Sequence, residues 1–99
     1  MLTLAALVRQ PTFHLRVVTG ADALDQPVDW VHVSELADPT PFLRPGTLLL
    51  TTGLQQADAG TYVPALVAAG AVGLGFGVGL SHGTVPADLV DACASAGLP

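Results

Sequence analysis

The sequence predicts one small α/β domain, in which a mixed β-sheet of about four to five strands packs against three helices. Three observations support this fold class. Short runs of β-branched and leucine residues are typical of strands, longer segments carry apolar residues at helical spacing, and proline or glycine separates the segments. A chain of 99 residues is also the size of one domain.

The amino-terminal half predicts one helix followed by three strands. Thr3 is a suitable N-cap for a first helix with apolar residues at i, i+3 and i+4, and Pro11 ends that helix. Residues 15–19 (LRVVT) and 28–34 (VDWVHVS) are rich in β-branched side chains and predict strands. Residues 47–51 (TLLLT) form a continuous apolar run, which predicts a central strand buried on both faces.

The second helix is predicted from a proline near its start and a glycine at its end. Pro64 is tolerated in a first turn, so Thr61 or a residue just before it is the expected N-cap. The helix is expected to end at Ala69, with Gly70 as the C′ residue. Loops are expected after Gly53 and at residues 81–84.

The last strand and the last helix follow. Residues 71–79 (AVGLGFGVG) predict a strand with four glycines on one face, so we expect a helix or a ligand to lie directly on the sheet there. Val78 stands where a dinucleotide-binding Gly-x-Gly-x-x-Gly motif needs its third glycine, which excludes that motif. Pro86 fits the first position of the last helix, and Gly97 ends it.

The charge of the chain argues against several partners. The sequence has eight acidic residues, three arginines and no lysine, for a net charge of −5. Phosphate groups are held by clustered Lys and Arg, so we expect no direct contact with nucleic acid or anionic membrane. Charged residues are only 11% of the chain, against about 25% in an ordinary domain, so another chain or segment is expected to cover apolar surface.

The predicted location is the cytoplasm. The single cysteine, Cys93, excludes an internal disulfide and fits a reducing compartment, and the first residues do not resemble a signal peptide. Residues 59–87 carry no charge and are long enough to span a bilayer. Their repeated glycines disfavour a continuous helix, so we expect no membrane span.

No catalytic, metal or cofactor site is predicted. His32, Ser34 and Glu35 could form a hydrolase set, but strand alternation points Glu35 away from the other two. The three histidines and Cys93 lack the short spacing of zinc ligands.

A small-molecule site is predicted where the central strand ends. Thr51, Thr52 and Gly53 follow that strand, and α/β sheets bind ligands at the carboxyl ends of their strands. The same residues could instead cap the loop, with Gly53 at a positive φ. The candidate ligand-binding residues are Thr51, Thr52, Gly53, Arg44, His32 and Glu35.

Arg44 and two aromatic residues each have two interpretations. Arg44 could bind a carboxylate or a urate-like anion, or pair with Glu35 or Asp38. Trp30 and Phe42 could stack on a purine ring, although burial in a core or an interface is commoner for such residues.

The segment VDWVHVSELADPTPFLRPGTLLLTTG, residues 28–53, resembles the N-terminal domain of PucR-type bacterial transcriptional regulators, the purine catabolism regulator family. Supporting matches are the opening Leu-x-x-Leu helix, VVTG at 17–20, AGAVGLG at 69–75 and the ending at 85–99. The resemblance covers essentially the whole chain, and residues 28–53 are its most specific part.

The resemblance implies a regulatory or sensory domain over residues 1–99, rather than an enzyme. It would bind a small-molecule effector such as a purine-catabolism intermediate, dimerise, or do both. DNA binding would belong to a C-terminal helix-turn-helix outside this chain. The alternative is a small enzyme or enzyme fragment with a polar site around His32, Glu35 and residues 51–53.

Overall fold

A computed structural model describes residues 1–53, 58–79 and 82–99 of the chain. Its helices are α1 (Leu4–Val8), α2 (Ala59–Ala68) and α3 (Ala87–Ala96), and its strands are β1 (Trp30–Val33), β2 (Thr47–Thr51) and β3 (Ala71–Phe76). Short 3-10 helices lie at Pro11–Phe13, Ala21–Ala23 and Thr40–Phe42. Parts of the two predicted loops, residues 54–57 and 80–81, lie outside the described residues.

The sheet is parallel and has three strands in the order β1-β2-β3 across the described residues. The α/β class and the three helices are confirmed, but the mixed sheet of four to five strands is wrong. Residues 15–19 form no strand, because β propensity produces one only where a neighbouring backbone completes the ladder. That segment is instead held by the Thr19 hydroxyl, which donates to the Leu98 carbonyl at 2.7 Å.

The amino-terminal caps explain where two helices begin. The Ala6 N–H donates to Thr3 Oγ1 at 3.2 Å, so the predicted cap of α1 is confirmed. Helix α2 begins earlier than expected, with Asp58 as its N-cap residue and Pro64 in the second turn. Thr61 is not the cap, because it lies inside the helix, where its hydroxyl donates to Asp58 Oδ2 at 2.9 Å.

The core lies between one face of the sheet and helices α2 and α3. Leu49 of β2 and both Val63 and Leu66 of α2 are completely buried. Cys93 of α3 and Leu98 complete the same cluster. Strand β2 is central as predicted, but only one of its faces is fully buried, because Leu48 and Leu50 on the other face stay half-exposed.

The glycines of β3 make room for leucine side chains. A Cβ atom at Gly75 would lie 2.5 Å from Leu50 Cδ2, and one at Gly73 would lie 3.1 Å from both Leu4 and Leu48. Leu4 belongs to α1, so a helix does reach this face, as the glycine pattern predicts. The leucines of β2 fill much of the remaining space over the glycines.

None of the helices in the described ranges has the length and continuous apolar character that a bilayer crossing requires.

Replacing Leu66 with alanine should lower the free energy of unfolding by about 2–5 kcal/mol, because it leaves a cavity in the core. Val67→Ala is the matched control, since the neighbouring Val67 side chain is 42% exposed. Urea unfolding followed by circular dichroism measures both variants. Equal losses of stability in the two would contradict the placement of the core.

Candidate functional site

A cavity of about 270 Å³ opens at the carboxyl edge of the sheet. It lies beyond the ends of β2 and β3 and beside the first turns of α2 and α3, with Thr51, Gly53, Ala59, Phe76, His82 and Asp88 among its lining residues. All strands of a parallel sheet end at the same edge, and the loops that follow them meet there. The cavity is therefore in the place where this fold class binds small molecules.

Glu35 ties the end of β1 to the end of β2. Its Oε1 accepts a hydrogen bond from the Thr51 hydroxyl at 3.0 Å. The Thr52 N–H donates to both carboxylate oxygens, at 2.8 Å to Oε2 and 3.1 Å to Oε1. Hydrogen bonds to an ionised acceptor are stronger than neutral ones, so this contact holds the loop entrance in place.

Gly53 lets the chain turn next to two aromatic rings. Its φ is 72°, a conformation that favours glycine. A Cβ atom there would lie 2.7 Å from Phe76 Cζ and 2.9 Å from His82 Cδ2. His82 Nε2 lies 3.1 Å from the Gly53 carbonyl oxygen, and the His82 and Phe76 ring centroids are 5.7 Å apart. A side chain at position 53 would therefore displace part of the cavity wall.

The Tyr62 side chain, from α2, also lines the cavity. Burial raises the pKa of Tyr62 to about 12, with smaller contributions from the Glu35 carboxylate and Cys93. The hydroxyl therefore stays protonated at neutral pH and can donate a hydrogen bond. Cys93 lies in the core, where burial also raises the pKa of its thiol.

The structure brings four of the six predicted site residues together: Glu35, Thr51, Thr52 and Gly53. His32 lies in the middle of β1, opposite Leu49, and does not line the cavity. Arg44 precedes β2, at the opposite edge of the sheet, and its guanidinium carbon is 4.4 Å from the centroid of the Trp30 ring. A ligand role for any of these residues stays a prediction.

Two polar side chains that follow β1 are engaged in local structure. Ser34 Oγ accepts a hydrogen bond from the Leu36 N–H at 3.1 Å, which closes a turn after β1. Asp38 Oδ1 accepts from the Thr40 hydroxyl at 2.6 Å, and this bond lowers the pKa of the Asp38 carboxyl. Among the described residues, no group of three or more His, Cys, Asp and Glu side chains is placed to hold a metal ion.

A model of the purine catabolism regulatory protein-like family matches residues 6–99. The chain belongs to this family. It is also 33% identical, over 90 residues, to the transcriptional activator PmfR of Paenarthrobacter nicotinovorans. That alignment covers 87% of this chain and 18% of the relative's length. No solved structure matches the chain. The resemblance seen in residues 28–53 is confirmed, and family membership supports a regulator domain.

Three cavity residues of this family member were not among the predicted site residues. Tyr62 carries no site signal in the sequence, and His82 enters there only among the three histidines tested as zinc ligands. Phe76 was placed inside a strand extending to residue 79, whereas β3 ends at Phe76. Because α/β sheets bind ligands at the carboxyl ends of their strands, a strand ending at Phe76 would have indicated Phe76 and His82 as site residues.

Tyr62 should ionise near pH 12 in the folded protein, and near pH 10 after unfolding in urea. The folded state favours the neutral hydroxyl, so its contribution to stability is complete below pH 10 and is lost as the pH rises toward 12. Absorbance titration at 295 nm measures both midpoints without overlap, because the chain has one tyrosine. A native midpoint near pH 10 would show that Tyr62 is solvent-exposed.

Proposed function

We propose that this domain is the sensing part of a transcription regulator, and that the cavity at the carboxyl edge binds its small-molecule effector. The observation that carries this proposal is the placement of the cavity. Its lining residues come from the segments after β1, β2 and β3 and from the first turns of α2 and α3. An occupant would therefore contact most of the domain's elements at once.

Such an occupant would act by changing the balance between two arrangements of these elements. A ligand shifts a conformational equilibrium only by the difference between its affinities for the two states. The contacts of Gly53 with Phe76 and His82 are the part of the cavity wall that an occupant would stabilise or separate. The Glu35 contact with Thr52 would transmit that change to β1.

DNA binding is assigned by this proposal to a part of the regulator outside these residues. The chain has a net charge of −5 and no lysine, which does not suit contact with phosphates. The similar protein PmfR is named as a transcriptional activator, and the family description supports purine-catabolism intermediates as first candidates for the effector. The role is regulatory and non-catalytic, and the location it implies is the cytoplasm.

A second candidate function is self-association of the domain, which an exposed apolar face of the sheet favours. The sheet face opposite the helices carries Val31 and Val33, whose side chains are 55% and 68% exposed. A mostly apolar groove of about 560 Å³ continues along this face, beside Leu4, Leu50 and Val18. Contiguous apolar surface of this kind marks interaction sites. We propose that a second copy of the domain covers it.

An effector should raise the midpoint of thermal unfolding of the domain, and Leu36→Trp should reduce that shift. Leu36 lines the cavity and is 45% exposed, so a larger side chain there can obstruct the cavity without disturbing the core. Leu2→Trp is the matched control, because Leu2 is also 45% exposed and does not line the cavity. Scanning fluorimetry with allantoin, xanthine and related metabolites, and with urate as the anionic member of the panel, measures the shift. An effector that stabilises both variants equally must bind elsewhere.

Val33→Asp should convert a dimer into a monomer, because it places a charge in the proposed contact. Val67→Asp is the control, since Val67 is also an exposed valine, at 42% against 68% for Val33, and lies on α2, away from that face. Size-exclusion chromatography with light scattering gives the mass of each variant. A wild-type chain that is monomeric at high micromolar concentration would refute self-association through this face.

A further inference from the structure

We propose that the effector of this cavity is a small planar compound that is neutral or cationic and accepts a hydrogen bond, and that organic anions are excluded. This inference rests on the proposed function of the cavity and specifies the chemistry of its ligand. It is argued from the shape of the walls, from the charges around them and from the Tyr62 hydroxyl as a hydrogen-bond donor.

The cavity is small and has aromatic walls. The rings of Tyr62, Phe76 and His82 all line it, and the planes of the last two are tilted by 53°. Leu36 and Leu89 add apolar surface. A volume of about 270 Å³ lies just below the usual range for drug-sized ligands, which begins at about 300 Å³. These dimensions suit one flat ring system, which can stack against an aromatic side chain.

The charges around the cavity are acidic. Asp88 lines it, and the Glu35 carboxylate is close enough to contribute to the raised pKa of Tyr62. The chain has only three arginines and no lysine, and none of the arginines lies among the described residues that line the cavity. Arg44 stacks on Trp30 at the opposite edge of the sheet. An anionic ligand would therefore meet the Asp88 carboxylate, with Glu35 behind the Thr51 wall, and no guanidinium among the described lining residues.

Two features act in the opposite direction, and both are too weak to reverse this balance. The first turns of α2 and α3 lie at the cavity, and a helix N-terminus carries about half a positive charge. Asp58 at the start of α2 and Asp88 in the first turn of α3 place full negative charges at those ends.

The Tyr62 hydroxyl supplies the donor. Its high pKa keeps it protonated, and in the described part of the chain it makes no hydrogen bond of its own. A partly buried donor is stabilised when a ligand supplies an acceptor, such as a carbonyl oxygen or a ring nitrogen. The acceptor would then lie in the plane of a ring held between the aromatic walls.

Three probes of nearly identical shape test the charge preference: benzamide is neutral and carries a hydrogen-bond acceptor, benzamidinium is cationic and carries none, and benzoate is anionic. Benzamidinium therefore tests the charge preference alone. Titrating each into the ¹⁵N-labelled chain gives a Kd and, from the Gly53 and Tyr62 amide shifts, the location. We expect benzamide and benzamidinium to bind about tenfold or more tightly than benzoate. We also expect Glu35→Gln to reduce the difference in Kd between benzamide and benzoate. Tyr62→Phe should weaken the binding of benzamide about two- to tenfold.

The outcomes separate this inference from the proposed function. If benzoate binds at Gly53 as tightly as benzamide, the charge preference is wrong, but the proposed effector site is still supported. The proposal of an effector site is overturned if no probe or metabolite shifts the Gly53 and Tyr62 amide signals. It is also overturned if Leu36→Trp leaves their binding unchanged. An unchanged thermal midpoint shows that Tyr62→Phe and Glu35→Gln remain folded, and circular dichroism in the presence of probe provides a second check.

Discussion

The central position of β2 between two parallel neighbours is the constraint from which the site follows. Its Leu49 side chain is completely buried beneath the helices, which anchors the sheet to them. Because β1 and β3 both run parallel to β2, all three strands end at one edge. Glu35, Thr51 and Phe76 stand at or just after those ends. The fold therefore collects residues that are far apart in the chain around one cavity.

The distribution of charge gives the two edges of the sheet different chemistry. At the carboxyl edge, Glu35 is bound to the Thr51 hydroxyl and the Thr52 N–H, and Asp88 stands nearby. At the opposite edge, Arg44 is held over the Trp30 ring. In a chain with so few basic residues, this separation leaves the cavity without a guanidinium. The proposed preference of the cavity for neutral or cationic ligands rests on this separation.

Membership of the purine catabolism regulatory protein-like family supports a regulator domain. Ser34 and Glu35 are engaged in hydrogen bonds that shape the chain after β1 and β2. The two faces of the sheet also differ: α2 and α3 cover one, whereas Val31 and Val33 stand exposed on the other. The proposed function uses both features: the cavity as the effector site, and the exposed face as the contact with a second copy of the domain.

The sequence by itself determined the fold class, the family, the central strand, the cap at Thr3 and the end of α2 at Gly70, because each depends on local composition or spacing. It also pointed to the loop entrance at residues 51–53. Only the tertiary structure decided that residues 15–19 form no strand, since a strand requires a partner backbone. It also decided that Glu35 joins Thr51 and Thr52 while Arg44 lies at the far edge. Contacts between segments far apart in the chain depend on strand order and direction, which local patterns do not encode.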